Sequence, residues 1–379
     1  MAINLRSPYF TGTVQPNASY SILGLKIWSG NLQSIPLDPQ YTIRKSVVGT
    51  STEIFFELSE LIRDYIEITF NGDYNGQAVW FQVIQNVFNA SSTTPIFSLT
   101  SITQLALDGY WYFEEPQTAT PSALISNREL FVLEDNAFRI PIYINNNPTV
   151  VFYKDGEVIA SETFSSSIES SEQIKYVSIY GDDVNWDTFQ ERVIEDNGTF
   201  ESNLCLQSFF DNYSIGAVDK ITISDSNGIE TIKVNVIEEC KYEPKKVTFV
   251  NKFGALQDMY FFKKSKENLS IKKESYKANI ISSFGTYDKT NHVNRDFNVV
   301  GKESISLSSG YLSEEYNEVF KQLLLSEKVW LTNIIESGEQ VLPINVKTSS
   351  IAYKTSVNDK LVDYTIEFDK SFDTINNIR

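Results

Sequence analysis

The sequence predicts a mainly β protein: two β-sandwich-like modules followed by an α+β module with one main helix. Three observations lead there. Twenty-five Phe and twenty Tyr stand against two Met, and aromatic rings suit pleated surfaces better than helical bundles. Short alternating or apolar runs are punctuated by Gly, Asn, Asp and Pro turns along most of the chain. One stretch, Ser313 to Ser326, carries a helical period. With 379 residues and 41% hydrophobic content, the chain is long enough for two or three cores.

The first module is placed at 1–120. Leu23 to Gly30, Tyr41 to Lys45 and Glu53 to Leu58 read as strands. Ser59 to Ile66 reads as one or two helical turns capped by Ser59. Ile66 to Phe70 alternates cleanly and ends in the turn Asn71-Gly72-Asp73. Val79 to Ile84, Ile96 to Leu107 and the aromatic run Tyr110 to Phe113 follow as strands.

The second module is placed at 121–240, after the Pro-, Thr- and Ser-rich segment Gln117 to Asn127. Its clearest element is a hairpin, Thr149 to Tyr153 and Glu157 to Ala160 around Asp155-Gly156. Ala217 to Ser224 and Ile229 to Ile237 flank a second turn, Asp225 to Gly228.

The third module is placed at 241–379, behind a charged hinge, Glu238 to Pro244. It opens on Val247 to Phe262, two strand-like runs joined by a turn at Phe253-Gly254. Leu269 to Lys277 and Phe297 to Lys302 resemble strands. In the helix, Val319, Phe320, Leu323 and Leu324 form an apolar stripe expected to face the sheet of this module. Lys328 to Leu331, Val341 to Val346 and Val362 to Phe368 complete it.

The net charge of −17 argues against wholesale binding of DNA or of an anionic membrane. The charge is uneven. Lys241 to Lys277 holds ten lysines against four acids, a net +6, which leaves −23 for the remainder. Lys245, Lys246, Lys263, Lys264, Lys272 and Lys273 are therefore candidates for docking on an acidic neighbour, because complementary charge fixes orientation. The plainer account is a solvated face that keeps strand edges soluble.

Little in the sequence points to chemistry. Cys205 and Cys240 make neither a disulfide framework nor a zinc site, and free thiols are expected. A Cys–His or Ser–His–Asp centre would have to use His292, the one histidine, which lies in a polar loop. Asp183 to Asp187 opens with calcium-loop spacing, but Thr188 stands where the turn glycine belongs. No cofactor and no metal are expected. The N-terminus lacks an apolar signal core, so synthesis in a cytoplasm without classical export is expected.

Two other function classes have a residue behind them. Tyr110, Trp111 and Tyr112 would suit a sugar-stacking platform in a glycan-binding module for host attachment. Rings packed into the faces of a sheet are the simpler explanation. Acid pairs such as Glu114-Glu115 are the raw material of a glycosidase, although among 49 acids such pairs arise by chance.

The C-terminal half resembles virion structural proteins of tailed phages, particularly those infecting Bacteroidota, including crAss-like phages. The residues that carry the resemblance are Val247 to Gly254, Met259 to Phe262, the helix Tyr316 to Leu325, Ser326 to Leu331, Val341 to Val346 and Tyr364 to Phe368. It implies a helix-plus-strands module of tail, neck or baseplate rings, hence a virion location and a non-enzymatic ring or adaptor role. The partners implied are other virion proteins and copies of the same chain in a homo-oligomeric ring, with neither nucleic acid nor membrane bound.

Overall fold

The computed structural model describes residues 2–47, 52–76, 78–133, 138–164, 173–179, 218–239, 241–335, 338–353 and 361–375. The fold is mainly β, and among the described residues 51% are strand and 6% helical. Cys205, Cys240 and the Asp183 to Asp187 segment lie outside the described residues.

The chain divides into two compact units. The first comprises Met1–Glu238, Thr248–Met259 and Glu315–Ser326; the second comprises Glu239–Val247, Tyr260–Glu314 and Glu327–Arg379. One boundary between the units falls after Glu238. Elsewhere the division differs from three consecutive modules, because two short segments of residues 241–379 belong compactly with the first unit.

In the first unit a six-stranded sheet runs Ile3–Asn4, Gln104–Leu107, Ala78–Phe88, Tyr20–Trp28, Tyr41–Ser46, with Phe97–Thr100 also paired to Ala78–Phe88. Tyr20–Trp28 alternates between half-buried and buried positions, the period-2 signature of a sheet with one core face. Leu23, Leu25, Ile27, Val79, Phe81 and Val83 form that core with Ile54 and Phe56 from Glu53–Glu57, and with Ile62 from the short helix Ser59–Arg63. Complete burial of a ring such as Phe81 contributes about 1.5–3 kcal/mol. Ile66 to Phe70, expected as a strand, is irregular backbone. Its alternation survives as burial, with Ile68 and Phe70 inside.

A five-stranded sheet of the same unit runs Glu157–Thr163, Thr149–Lys154, Lys220–Asp225, Gly228–Ile237, Glu129–Leu133. The expected hairpin at Asp155-Gly156 is present. Both turn residues have positive φ, 51° and 85°, as a type I′ turn requires. Phe138–Tyr143 pairs with Ile174–Ile179 in a separate ladder.

The second unit carries the strands Val329–Ile335, Gly338–Val346, Thr365–Lys370, Asn294–Ser308 and Lys266–Lys277, in that order, of a seven-stranded sheet; the remaining two strands, Lys245–Val250 and Leu256–Phe261, lie partly in the first unit. Phe261 and Phe368 meet edge to face in its core at 6.1 Å, with Leu307, Leu331 and Ile366 buried nearby in the sequence of strands.

The helix is ten residues, Tyr316–Leu325. Val319, Phe320 and Leu323 are buried as the stripe predicts, and Leu324 is partly exposed. Its described polar contacts lie within the first unit, which corrects the expectation that it serves the third module. The Tyr316 hydroxyl accepts from the Phe131 amide at 3.1 Å, and Gln322 donates to Ser126 at 2.6 Å. A stripe tells which side is buried and leaves open which element buries it.

Candidate functional site

The feature that departs most from an ordinary folded surface is a two-stranded ribbon in the second unit. Lys266–Lys277 pairs antiparallel with Asn294–Ser308 from Lys266↔Ser306 to Lys277↔Asn294. Asn294–Ser308 also pairs with Thr365–Lys370, but only over Ser304 to Ser308. Beyond that point, among the described residues, its ladder partner is Lys266–Lys277 alone. Twelve residues at about 3.4 Å each make a strand of roughly 40 Å. Every residue of Lys266–Lys277 is exposed, so neither face is covered.

The ribbon is shaped by a bulge. Lys272 faces Val300 and Glu274 faces Phe297, so the longer strand carries one extra residue there. Asn298 supplies it in the left-handed region, at φ 50°. Past the bulge, Tyr276 and Phe297 meet edge to face at 5.7 Å on one face, both about half exposed. The tip is an ordered turn. Ser282 receives the Gly285 amide on its carbonyl at 3.0 Å and donates its own amide to Thr286 at 2.8 Å. The Ser282 and Thr286 hydroxyls are hydrogen-bonded at 2.8 Å, and Gly285 takes the positive φ of 72°. This turn holds Phe284 90% exposed, between Ile281 at 61% and Tyr287 at 64%. His292 lies near this tip, on the rim of a shallow concavity shared with Arg295 and Asp296.

The six candidate lysines do not form one free patch. Lys245 pairs with Glu243 at 2.7 Å, Lys263 with Glu239 at 2.6 Å, and Lys273 with Asp296 at 2.6 Å across the ribbon. The hydrogen bond from Lys263 holds the Glu239 carboxyl below the usual carboxylate range. Lys246 is buried, 7% exposed. Lys264 and Lys272 stand exposed, at the base and the middle of the ribbon.

The aromatic run Tyr110 to Phe113 is not a strand. Its backbone is drawn elsewhere: the Tyr110 amide donates to the Lys252 carbonyl at 2.8 Å and the Trp111 amide to Ser7 Oγ at 2.8 Å. Tyr110 and Tyr112 meet edge to face at 5.5 Å, and cations lie over both. The Arg6 guanidinium stands 4.8 Å from the Tyr110 centroid, and Lys321 Nζ 3.3 Å from that of Tyr112. The Tyr112 hydroxyl donates to Glu318 at 2.8 Å. Burial, then the neighbouring Tyr110 and Glu318, push the Tyr112 hydroxyl well above its ordinary value. Trp111 is half-buried, and Phe113 alone is fully exposed. Ring faces already engaged by cations are poor platforms for a sugar.

A buried polar cluster in the first unit had no signal in the sequence. Asp258 is 2% exposed. It accepts from the Tyr74 hydroxyl at 2.5 Å, the Thr248 hydroxyl at 2.8 Å and the Arg139 amide at 3.3 Å. The buried Arg139 guanidinium stacks 4.2 Å from the Tyr74 ring centroid. Burial, followed by the Asp258 charge, holds the Tyr74 hydroxyl well above its ordinary value. Asp258, Thr248 and Arg139 are buried and Tyr74 is half-buried, and the cluster joins residues distant in sequence. Nothing about its spacing, 74, 139, 248 and 258, is readable beforehand.

Among the described residues no group of three or more His, Cys, Asp or Glu side chains could hold a metal ion, and no helix is long and apolar enough to cross a membrane. No protein-family description and no curated protein matches this sequence.

Proposed function

We propose that this chain is a non-enzymatic structural component of a phage virion, acting in a ring or adaptor of the tail, neck or baseplate through protein–protein contacts. The observation that carries the reading is the ribbon. Ile281, Phe284 and Tyr287 are held in water by an ordered turn, an arrangement that is costly unless another surface covers it. A two-stranded hairpin is marginal by itself in water, which again favours a role in contact with a partner. The mainly β fold and the resemblance of the C-terminal half to tailed-phage virion proteins give the contact its setting.

The test is composition of particles. Intact virions purified from an infected culture should contain the chain in a fixed ratio to the capsid protein by quantitative mass spectrometry. Finding it in the lysate and missing from particles would remove the virion reading.

A further inference from the structure

We infer that the ribbon is the donor half of a heterologous contact between copies of this chain, with the Phe284 tip as its apolar anchor and the acidic remainder of the next copy as its acceptor. This rests on the structural reading above and names the partner.

Charge selects the partner. Residues 264–300 carry seven basic side chains against four acidic ones, a net +3, while the rest of the chain carries −20. A second copy is therefore an oppositely charged surface for the ribbon, and complementary potentials both steer encounter and fix orientation. The two exposed candidate lysines, Lys264 and Lys272, sit on this element, and Arg295 stands beside Phe297 in the facing strand. Tyr, Phe and Arg clustered on one face match the side chains that dominate protein interfaces.

Charge also selects the geometry. Among the described residues Lys266–Lys277 is the outermost strand of its sheet, with no strand paired along its outer edge. Pairing with the same strand of another copy would set a +3 element against a +3 element and bring Lys266 opposite Lys277 in an antiparallel register. Like charges directly opposite are destabilising. The two-fold, self-complementary contact is thus disfavoured, and the ribbon is directed to a different surface. Such a head-to-tail contact repeats from copy to copy and forms a ring where the rotation closes.

The tip suits this use in a way that a disordered loop would not. The hydrogen bonds of Ser282 and Thr286 fix Phe284 before binding, so little ordering remains to be lost on contact. The Tyr276 and Phe297 pair, nearer the sheet, supplies a second apolar element on the face past the bulge.

The experiment uses the full chain in three forms: wild type, Phe284→Ser, and a variant in which residues 278–293 are replaced by Asn-Gly to close the hairpin early. Native mass spectrometry and light scattering would follow assembly across the micromolar range. Wild type should associate, and the association should weaken as salt rises. Phe284→Ser, at a position that touches little of its own chain, should keep the wild-type circular dichroism and melting point and weaken association at least tenfold. The shortened variant should not assemble alone, yet it should bind wild type, because it retains the acceptor surface. Three outcomes would overturn the inference: a wild type that stays monomeric, a Phe284→Ser chain that assembles like wild type, or a shortened variant that cannot bind wild type, which would mark a ribbon-on-ribbon contact. A monomeric chain that is nevertheless found in virions would end this inference and leave the structural reading standing. A chain that assembles through its ribbon but is missing from virions would do the reverse.

Discussion

The Asp258 cluster and the ribbon tip invert each other. In the first, a carboxylate, a guanidinium and a threonine hydroxyl are shut away from water beside the half-buried Tyr74; in the second, a phenylalanine, an isoleucine and a tyrosine stand in it. Each arrangement runs against the transfer free energy of its side chains, and each is tolerable for a different reason. The buried charge has its partners inside the chain, with every described oxygen of Asp258 accepting a hydrogen bond. The exposed apolar residues keep most of their side-chain surface in water. A violation that is satisfied internally belongs to stability, and one that is not satisfied internally belongs to association.

That contrast can be broken in several places. The largest effect should come from the ordinary core of the first unit. Leu323→Ala should destabilise by about 2–5 kcal/mol in urea denaturation, since the side chain is fully buried on the Tyr316–Leu325 helix. A change within about 0.5 kcal/mol would show the stripe to be loosely packed. Asp258→Ala should cost about 2–4 kcal/mol by the same measurement, because each buried hydroxyl left without its acceptor costs roughly 1–3 kcal/mol. A neutral result would mean the cluster does not hold the first unit together.

Base should sharpen the comparison further. Burial raises the hydroxyls of Tyr74, Tyr176 and Tyr316, all in the first unit. The unfolded chain releases these protons near the ordinary value of about 10 while the folded chain keeps them. Stability contributed in this way is therefore complete below about pH 10 and is lost as pH rises through the folded values, by up to about 1.4 kcal/mol per pH unit for each tyrosine. Chemical denaturation as a function of pH should show that slope, and Tyr176→Phe should make it shallower. Stability that rises above pH 10 would contradict the burial. The smallest effect on folding should be Phe284→Ser, within about 0.5 kcal/mol, because its ring is 90% exposed.

Local pattern was readable where the chain's own chemistry decides the outcome. Asp155-Gly156 dictates its hairpin through two positive φ angles. The spacing of Val319, Phe320 and Leu323 dictates the buried side of a helix. Where neighbours decide, the sequence was silent or misleading. Tyr110 to Phe113 has the composition of a strand, yet Lys252 and Ser7 claim its amides and Arg6 and Lys321 its rings. Lys266 to Lys277 was readable as a strand in part, but exposure on both faces is set by what fails to pack on it. The lysine cluster was visible as a count, and the acids that neutralise half of it, Glu239, Glu243 and Asp296, were visible only as contacts.

The way the first unit is assembled from three separate stretches has a consequence for how the chain is made. A ribosome that has delivered residue 314 has delivered every strand of that unit, but not the helix that supplies Tyr316 to the Phe131 amide and Glu318 to the Tyr112 hydroxyl. Domains usually fold as units in the order of synthesis. Here the earlier part must wait, nearly finished, while the ribbon and most of the second unit's residues emerge. During that interval the positions that later meet the helix are open, and the hydrogen bonds that close them span 185 and 206 residues. Such long-range closure is slow. The nascent protein therefore passes through a period in which a chaperone, rather than its own helix, is the natural cover for that surface.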